Sequence, residues 1–460
     1  MFRRRVVVQV RELLRLGVPT MVMRSGSLLM VMADIVMLGR HSSRELAFYS
    51  LAQGPLTTLI LVGIGLVMGT QVVTARMHGA GQDARCGAVW RRSVPYALAL
   101  GGAAALLCAA GPKPFLWIGQ EPGIAAGAAR TMLVLGLGVP FYLGYLASAS
   151  FLEGLKRPWP GTWMMIGGIG LNIALNAWWI GGGGGVPALG AVGAAWATTV
   201  SRFVLCVAAA LWVWLMGDAP RFAVRSRGWG DAKSWREQRR LGYAAGASIG
   251  VEAVSFSTLN LMAGWFGADA LAAYAIGINL LSTVFMVALG MGTAAGVCVG
   301  HAWGRRSPRG IALAGWTGLG LNALIESSLV LVFAFGSAAF AGLYSSDPGV
   351  LDLASAMIRL IAAILIFDGS QAVMSYALRG RGETWVPTLL QGCAYLLVML
   401  PAARVLSGPL EQGVLGLFQS IGIGTFVSAV LLCLRFRRLG RRDKCARNRG
   451  PCRAEAEPPC

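Results

Sequence analysis

The sequence predicts an all-α integral membrane protein with twelve transmembrane helices in two six-helix lobes. Three observations predict this fold class: the chain is strongly apolar, its apolar segments are long enough to cross a bilayer, and its two halves repeat each other. Because six spans in each half give both halves the same orientation, we expect the lobes to be related by a pseudo-two-fold axis along the membrane normal.

The composition excludes a soluble globule. Hydrophobic residues make up 56% of the chain and charged residues only 13%, and the mean hydropathy is +0.62. A water-soluble fold of this composition would expose large apolar patches. The formal net charge of +20 would suggest nucleic acid as a partner of a soluble protein, but the charges lie in short segments between long apolar runs. We therefore predict a lipid bilayer as the partner, and no nucleic acid.

The number of spans follows from the length of the apolar runs. A helix needs about 20 mainly apolar residues to cross the hydrocarbon core. Twelve segments meet this condition, near residues 14–38, 46–75, 94–112, 124–149, 160–181, 188–216, 243–265, 269–301, 311–340, 350–377, 386–407 and 412–435.

The basic residues between the spans predict the orientation. If the N-terminus starts inside, the cytoplasmic segments carry 32 Lys and Arg residues and the opposite connections carry three, Arg40, Arg44 and Lys113. Positive charge is retained on the cytoplasmic side of membrane proteins. The sequence thus predicts a multi-pass protein of the inner membrane with both termini in the cytoplasm.

An internal repeat divides the chain. Residues of the first half recur 225 positions later, the pairs being Met37 and Met262, Gly39 and Gly264, Leu46 and Leu271, Ala47 and Ala272, Tyr49 and Tyr274, and Thr58 and Thr283. The repeat predicts four regions: an N-terminal lobe at 1–216, a charged cytoplasmic linker at 217–240, a C-terminal lobe at 241–436, and a disordered basic cytoplasmic tail at 437–460.

Three of the acidic residues within predicted spans stand out, namely Asp34, Glu252 and Asp368. A charge near the middle of a bilayer costs at least about 2.5 to 3.5 kcal/mol, so each acid is a candidate functional residue. The alternative is that each acid forms an ion pair with an arginine in or beside a span, and the candidates for this pairing are Arg24, Arg130, Arg202 and Arg359.

Glu252 and Asp368 are predicted at matching depth in one lobe. Two carboxylates in a low dielectric repel each other, so one should carry a proton or a cation such as Na⁺ should bridge them. We predict no other metal and no cofactor beyond this coupling ion, Na⁺ or H⁺. Glu326 is a further acid within a span, and we expect it at the edge of the lipid or of a pore.

Polar side chains of the fifth and sixth spans form a second candidate set. Asn172 and Asn176 are one turn apart and share a helix face, and Thr198 and Thr199 lie on the next span. These residues predict a polar network in the N-terminal lobe that contacts Asp34. Simple hydrogen bonding between helices is the alternative.

Four stretches carry a family resemblance: DIVMLGRHSSRELAFYSLA from Asp34, LNIALNAWWIGGGGGVPALGAVGAAWATTVSR from Leu171, VEAVSFSTLNLMAGWFGADALAAYAIGINL from Val251 and FDGSQAVMSYALRGRGETWVPTL from Phe367. On the basis of these stretches, the chain resembles the multidrug and toxic compound extrusion (MATE) family over about residues 8–436, and it resembles the NorM-like branch of that family in particular.

The resemblance implies a function and roles for the acids. It implies an antiporter, driven by Na⁺ or H⁺, that exports diverse and often cationic amphipathic small molecules by alternating access, without an obligatory protein partner. Glu252 and Asp368 resemble the acidic pair implicated in cation binding, and Asp34 resembles the first-span acid of the N-terminal lobe. Ile364 stands where some sodium-coupled members have an aromatic residue, which leaves the ion open.

Two other functions are alternatives. A flippase for a lipid-linked saccharide, from the same superfamily, would favour a larger cationic cavity and often more spans. An intramembrane enzyme would need a nucleophile and a base, zinc-spaced histidines or a nucleotide motif, and the sequence has none of these patterns. The sequence therefore favours a transporter over an enzyme.

The charge asymmetry predicts the topology. Single cysteines in a cysteine-free background at positions 79, 228, 307 and 448 should react only from the cytoplasm, and those at positions 42, 183 and 346 should react from outside. Labelling with a membrane-impermeant maleimide checks this. Labelling of position 228 in intact cells would contradict the predicted topology.

Overall fold

The computed structural model describes residues 2–117, 119–182, 185, 187–342 and 348–448. Within these ranges the regular structure is helical, without strands. The helices are α1 Phe2–His41, α2 Ser43–Val67, α3 Gly69–Gly79, α4 Asp83–Cys108, α5 Lys113–Trp117, α6 Pro122–Leu137, α7 Val139–Gly154, α8 Trp159–Trp179, α9 Gly190–Leu215, α10 Ala232–Gly264, α11 Ala268–Gly304, α12 Pro308–Gly342, α13 Pro348–Arg381, α14 Trp385–Gly392, α15 Leu400–Ser407 and α16 Gly413–Asn448.

Each of the twelve predicted spans coincides with a helix or with a run of consecutive helices. Eight helical segments of the described chain are both long and apolar enough to cross a membrane by themselves. The other four predicted spans correspond to α4, α8, α10 and α13. Arginines, an acid or side-chain amides in these helices lower their hydropathy.

Three spans are interrupted at glycine or proline. The second span changes from α2 to α3 at Met68 and Gly69, and the fourth changes from α6 to α7 at Gly138, two residues before Pro140. The eleventh consists of α14, a π-helical stretch at Cys393–Met399, and α15, whose second residue is Pro401. Proline has no N–H to donate to the carbonyl four residues earlier, which explains the wider turn before it.

The contacts divide the chain into two compact units. We call Arg15–Phe256 the N-terminal unit, and Ser257–Cys460 together with Met1–Leu14 the C-terminal unit. The division falls within α10 and not in the predicted linker. The domain boundaries given above therefore remain a prediction.

Glycines allow close helix contacts within the N-terminal unit. A Cβ added to Gly65 of α2 would lie 2.6 Å from the Cα of Gly246 in α10. A Cβ on Gly101 of α4 would overlap Pro140 of α7. Small residues that let backbones approach are typical of helix packing in membranes, where lipid and protein are equally apolar and dispersion contacts determine association.

The predicted linker is held against the N-terminal unit by polar contacts. Arg92 Nε donates to Gln238 Oε1 at 2.7 Å, and Gln238 Nε2 donates to Ser93 Oγ at 2.6 Å. Gly228 accepts a hydrogen bond from Arg91 Nη2 at 2.8 Å, which places the linker at the same end as the start of α4. Residues 232–240 are already helical, as the first turns of α10.

The acidic residue at the start of α4 also binds this segment. Arg221 Nη2 lies 2.7 Å from Asp83 Oδ2, and His78 Nδ1 lies 2.5 Å from Asp83 Oδ1. Burial raises the pKa of Asp83, but the hydrogen bonds from His78 and Arg221 outweigh burial and hold the pKa below its ordinary value. The carboxylate is thus ionised at neutral pH and binds both basic side chains.

The structure differs from the prediction at the tail. The sequence predicts disorder from Arg437, whereas α16 continues to Asn448. Arg381 of α13 explains the added helix, because its Nη2 donates to Leu439 O at 2.9 Å and lies 2.8 Å from Asp443 Oδ1. Residues 449–460 lie outside the described residues, as do positions 183 and 346 of the topological prediction.

Two adjacent glycines of α4 give a matched test of helix packing. The Cβ of Gly101→Ala would overlap Pro140, whereas that of Gly102→Ala has nothing within 4 Å. We expect Gly101→Ala to lower the stability by about 1 to 3 kcal/mol, the usual cost of overpacking, and to lower the thermal midpoint in detergent. Gly102→Ala should leave the midpoint unchanged or raise it slightly. Equal midpoints for the two variants would contradict the close contact.

Candidate functional site

The predicted first-span acid lies in a polar cluster inside the N-terminal unit. Asp34 of α1 has no solvent exposure, and neither do Tyr49 of α2, Asn172 and Asn176 of α8, and Thr198 of α9. We call these five residues the Asp34 cluster. Four helices contribute to it, so its geometry depends on how the whole unit packs.

All four neighbours donate a hydrogen bond to the carboxyl group. Oδ2 accepts from the Tyr49 hydroxyl at 2.6 Å and from Thr198 Oγ1 at 2.7 Å. Oδ1 accepts from Asn176 Nδ2 at 2.5 Å and from Asn172 Nδ2 at 3.1 Å. Four donors meet the hydrogen-bonding capacity of a carboxylate, which has about four lone-pair sites.

The donors are also connected to one another. Asn172 Nδ2 lies 3.1 Å from Thr198 Oγ1, and Asn176 Nδ2 lies 3.2 Å from Asn172 Oδ1. The spacing of four residues places the two amides on one face of α8, as the sequence predicts. The cluster thus behaves as one network, in which a change at the carboxyl group affects every member.

An ion-dipole contact fixes the start of α9, the helix that carries Thr198. Glu45 Oε2 accepts a hydrogen bond from the Ala191 backbone N–H at 2.7 Å. An anion at a helix N-terminus is stabilised by the helix dipole. The neighbouring Gly190 has φ +53° and lies against the Glu45 carboxyl, so a side chain there would be strained and would collide with this contact.

The structure does not bring Thr199 to Asp34. The Thr199 hydroxyl donates to Val134 O at 2.8 Å, a contact between α9 and α6. Thr199 follows Thr198 directly, and adjacent residues of a helix are about 100° apart around its axis, so only one of the two can face α1. The prediction is therefore right for Thr198, and wrong for Thr199 as a neighbour of Asp34.

An arginine partner does not explain the buried carboxyl of Asp34. Arg202 lies over the Tyr142 ring, 5.3 Å from its centroid, and Arg24 lies 3.6 Å from Glu153. Among the described residues, Asp34 has no ion pair. Hydrogen bonds therefore offset its desolvation, and the charge of Arg202 adds an attraction from beyond ion-pair distance.

The second predicted acid, Asp368, lies in the C-terminal unit and is 5% exposed. Gln371 Nε2 lies 3.4 Å from Asp368 Oδ1, and Gln391 Nε2 donates to Gln371 Oε1 at 2.6 Å. The chain of polar contacts continues through Ser375, whose hydroxyl donates to Gln391 Oε1 at 3.1 Å, to Arg379. Asp368 is thus one end of a buried polar network that links α13 with α14.

The expectation for Glu326 is wrong. The sequence predicts a residue at a lipid or pore edge, but Glu326 of α12 is 1% exposed. Asn322, one turn earlier, donates from Nδ2 to Glu326 Oε2 at 2.8 Å. The absence of a side chain at Gly369 explains the burial, because the Glu326 carboxyl occupies the space where a Cβ would stand.

Glu252 is half-buried on α10 and belongs to the N-terminal unit. Asp368 belongs to the C-terminal unit. The pairing of Glu252 with Asp368 therefore remains a prediction.

Tyr49 is a site residue that the sequence patterns above do not single out, although the repeat contains a signal for it. Tyr49 recurs as Tyr274, but the position equivalent to Asp34 is Leu259 in the second half. The Tyr274 hydroxyl is buried and has no hydrogen-bond partner among the described residues. The tyrosine thus occurs in both halves, whereas its carboxyl partner occurs only in the first.

Membrane-spanning helices that enclose buried, hydrogen-bonded acids are typical of polytopic membrane transport proteins. Comparisons identify the family. The MatE family model matches residues 19–178 and 245–403. The chain is 38% identical to the probable multidrug resistance protein NorM of Caulobacter vibrioides, over 95% of this chain and 93% of that protein. It is 28% identical to the multidrug resistance protein PmpM of Pseudomonas aeruginosa, over 95% and 93%.

A solved structure has the same fold. The crystal structure of the eukaryotic MATE transporter AtDTX14 matches with a TM-score of 0.85 at 20% identity, over 95% of this chain and 98% of that one. The chain belongs to the MatE family, and its fold is the twelve-helix, two-lobe fold of MATE structures. The predicted fold class and the family resemblance are confirmed.

Proposed function

We propose that this protein is a cation-coupled antiporter that exports diverse, often cationic and amphipathic small molecules. The observation that carries the proposal is the Asp34 cluster: a fully buried carboxyl group with four hydrogen-bond donors and no ion pair among the described residues. The family names support the substrate class, since the relatives from Caulobacter vibrioides and Pseudomonas aeruginosa are named multidrug resistance proteins.

The geometry of the cluster favours a proton as the ion at Asp34. Each neighbour presents a hydrogen to the carboxylate, so a metal cation would meet donors instead of oxygen ligands. A proton needs a smaller rearrangement, because the hydroxyl of Tyr49 or Thr198 can rotate and accept. Asn176 Oδ1, which has no partner among the described residues, offers another acceptor after rotation of the amide.

Protonation connects ion exchange with the packing of four helices. Loss of the charge removes charge-assisted hydrogen bonds, each worth about 1.5 to 3 kcal/mol. The arrangement of α1, α2, α8 and α9 that is most stable when Asp34 is ionised is therefore not the most stable one when Asp34 is protonated. A difference of this kind between two states is what alternating access requires.

We propose further ion-coupling roles for Glu252 and Asp368, and a position in the inner membrane with both termini in the cytoplasm. The 32 to 3 distribution of basic residues supports the orientation. Asp368 is buried and has no ion pair among the described residues. This supports its role, because a buried acid destabilises a membrane-spanning helix and is expected mainly where function requires it.

The flippase for a lipid-linked saccharide is the second candidate. It would need a cationic cavity for an anionic lipid carrier. The two buried ionisable groups on which the proposal rests, Asp34 and Asp368, are acidic. We therefore favour export of cations.

Transport by reconstituted protein tests the proposal. Proteoliposomes are loaded with ethidium, a monovalent amphipathic cation, and given an imposed proton or sodium gradient. We expect gradient-driven ethidium flux in the wild type and at least about a tenfold loss, equivalent to about 1.4 kcal/mol, in Asp34→Asn. The amide retains volume and hydrogen bonding but cannot exchange a proton.

Asp269→Asn is the matched control, since it makes the same chemical change at an exposed acid in the first turn of α11. It should transport as the wild type does. Wild-type flux in Asp34→Asn at equal incorporation, under both gradients, would contradict the proposal.

A further inference from the structure

A second buried carboxyl group lies beside Asp368, and the sequence analysis assigned no function to it. Glu326 of α12 and Asp368 of α13 are 1% and 5% exposed, and both lie in the C-terminal unit. The Glu326 carboxyl fills the space next to the backbone of Gly369, the residue that follows Asp368. Two acids from adjacent helices thus meet in the interior of one unit.

The charges of this pair are not balanced by basic side chains. Among the described residues, neither acid has an ion pair. Arg359, the basic residue that the sequence suggested as a partner, lies 3.5 Å from Ser337 Oγ. Two adjacent carboxylates in a low dielectric cannot both remain ionised without a cation between them.

The other helices that pack on α12 add few titratable groups near this depth. On α11 the nearest ones are Tyr274 and Cys298, each about 12 residues from the middle of that helix. On α16 they are Cys433, whose thiol is uncharged at neutral pH, and Arg435, which forms an ion pair with Glu383. Glu326 is about halfway along α12. The pair therefore depends on its own two carboxyl groups and on the neutral side chains around them.

An unpartnered oxygen points to a ligand. Asn322 is fully buried, and its Nδ2 donates to Glu326 Oε2 at 2.8 Å. Its Oδ1 is buried and has no hydrogen-bond partner among the described residues. A buried amide oxygen without a partner is costly. Because Nδ2 of the same amide contacts the Glu326 carboxyl group, rotation of the amide would turn Oδ1 toward a cation bound there, and oxygen atoms are the ligands that such a cation takes.

We propose that Glu326 and Asp368, with Asn322 as a neutral ligand, form one site for a single monovalent cation, H⁺ or Na⁺. This inference rests on the proposed ion-coupled transport and identifies where the C-terminal unit binds its ion. A shared proton would leave one negative charge on the pair, and a sodium ion would be held by the carboxylates and Asn322 Oδ1. The site lies within one unit and does not require Glu252.

Ion binding to purified protein in detergent tests the site without any gradient or transport. The thermal midpoint is measured against sodium concentration and, without sodium, against pH, for the wild type, Glu326→Gln and Asp368→Asn. If sodium binds, it raises the wild-type midpoint. Glu326→Gln then weakens the apparent sodium affinity at least about tenfold, as expected for the loss of one charged ligand.

If the ion is a proton, sodium has no effect, and the wild-type midpoint falls as the buffer becomes alkaline, since two charges are then left together. Either Glu326→Gln or Asp368→Asn reduces this fall, because the remaining carboxylate still bears the cost of burial but has no repelling partner. In both cases the effects of Glu326→Gln and Asp368→Asn are strongly non-additive, as for residues of one site.

Two further variants test the site if Glu326→Gln does not fold. Asn322→Ala keeps both acids. If the ion is sodium, this variant weakens sodium binding several-fold; if the ion is a proton, it leaves the pH dependence of the midpoint unchanged. Asp34→Asn, in the other unit, leaves the response of the pair in place. An unchanged ion response in both Glu326→Gln and Asn322→Ala, or additive effects of Glu326→Gln and Asp368→Asn, would overturn the site. Wild-type transport beside such a result would leave the antiporter proposal intact.

Discussion

The burial of carboxyl groups away from water is the constraint on which the rest of this structure depends. In hydrocarbon, an ionised carboxylate must be neutralised or surrounded by donors. The N-terminal unit uses the second solution at Asp34, with hydroxyl groups from α2 and α9 and two amides from α8. Each donor must be held within hydrogen-bonding distance, so the packing of four helices is fixed by one side chain.

The C-terminal unit is built on the same repeat but meets the constraint differently. Tyr274 occupies the position of Tyr49, and Leu259 replaces the acid, so the first-half site has no counterpart there. Acidic groups instead come from α12 and α13, where Glu326 and Asp368 lie beside the side-chain-free Gly369. Duplication supplied the scaffold, and each half placed its ionisable groups on different helices.

The sequence predicts the fold and most of the Asp34 cluster because both depend on local patterns. Long apolar runs define the spans, and the four-residue spacing of Asn172 and Asn176 defines a helix face. Contacts that depend on side-chain direction or on glycine could not be predicted in this way. Thr199 turns away from its neighbour Thr198, and Glu326 is buried because Gly369 lies across from it. The helical tail depends on contacts of Arg381 with Leu439 and Asp443, which are far from it in sequence.

The central claim is that the Asp34 carboxyl group changes protonation during the transport cycle. Infrared difference spectroscopy of the purified protein, with and without ethidium, tests it most directly, because a protonated carboxyl group absorbs separately from a carboxylate. The account predicts a carboxyl band that changes on substrate addition and is absent from the difference spectrum of Asp34→Asn, while Asp269→Asn retains it. An unchanged band in Asp34→Asn, with substrate still bound, would contradict the claim.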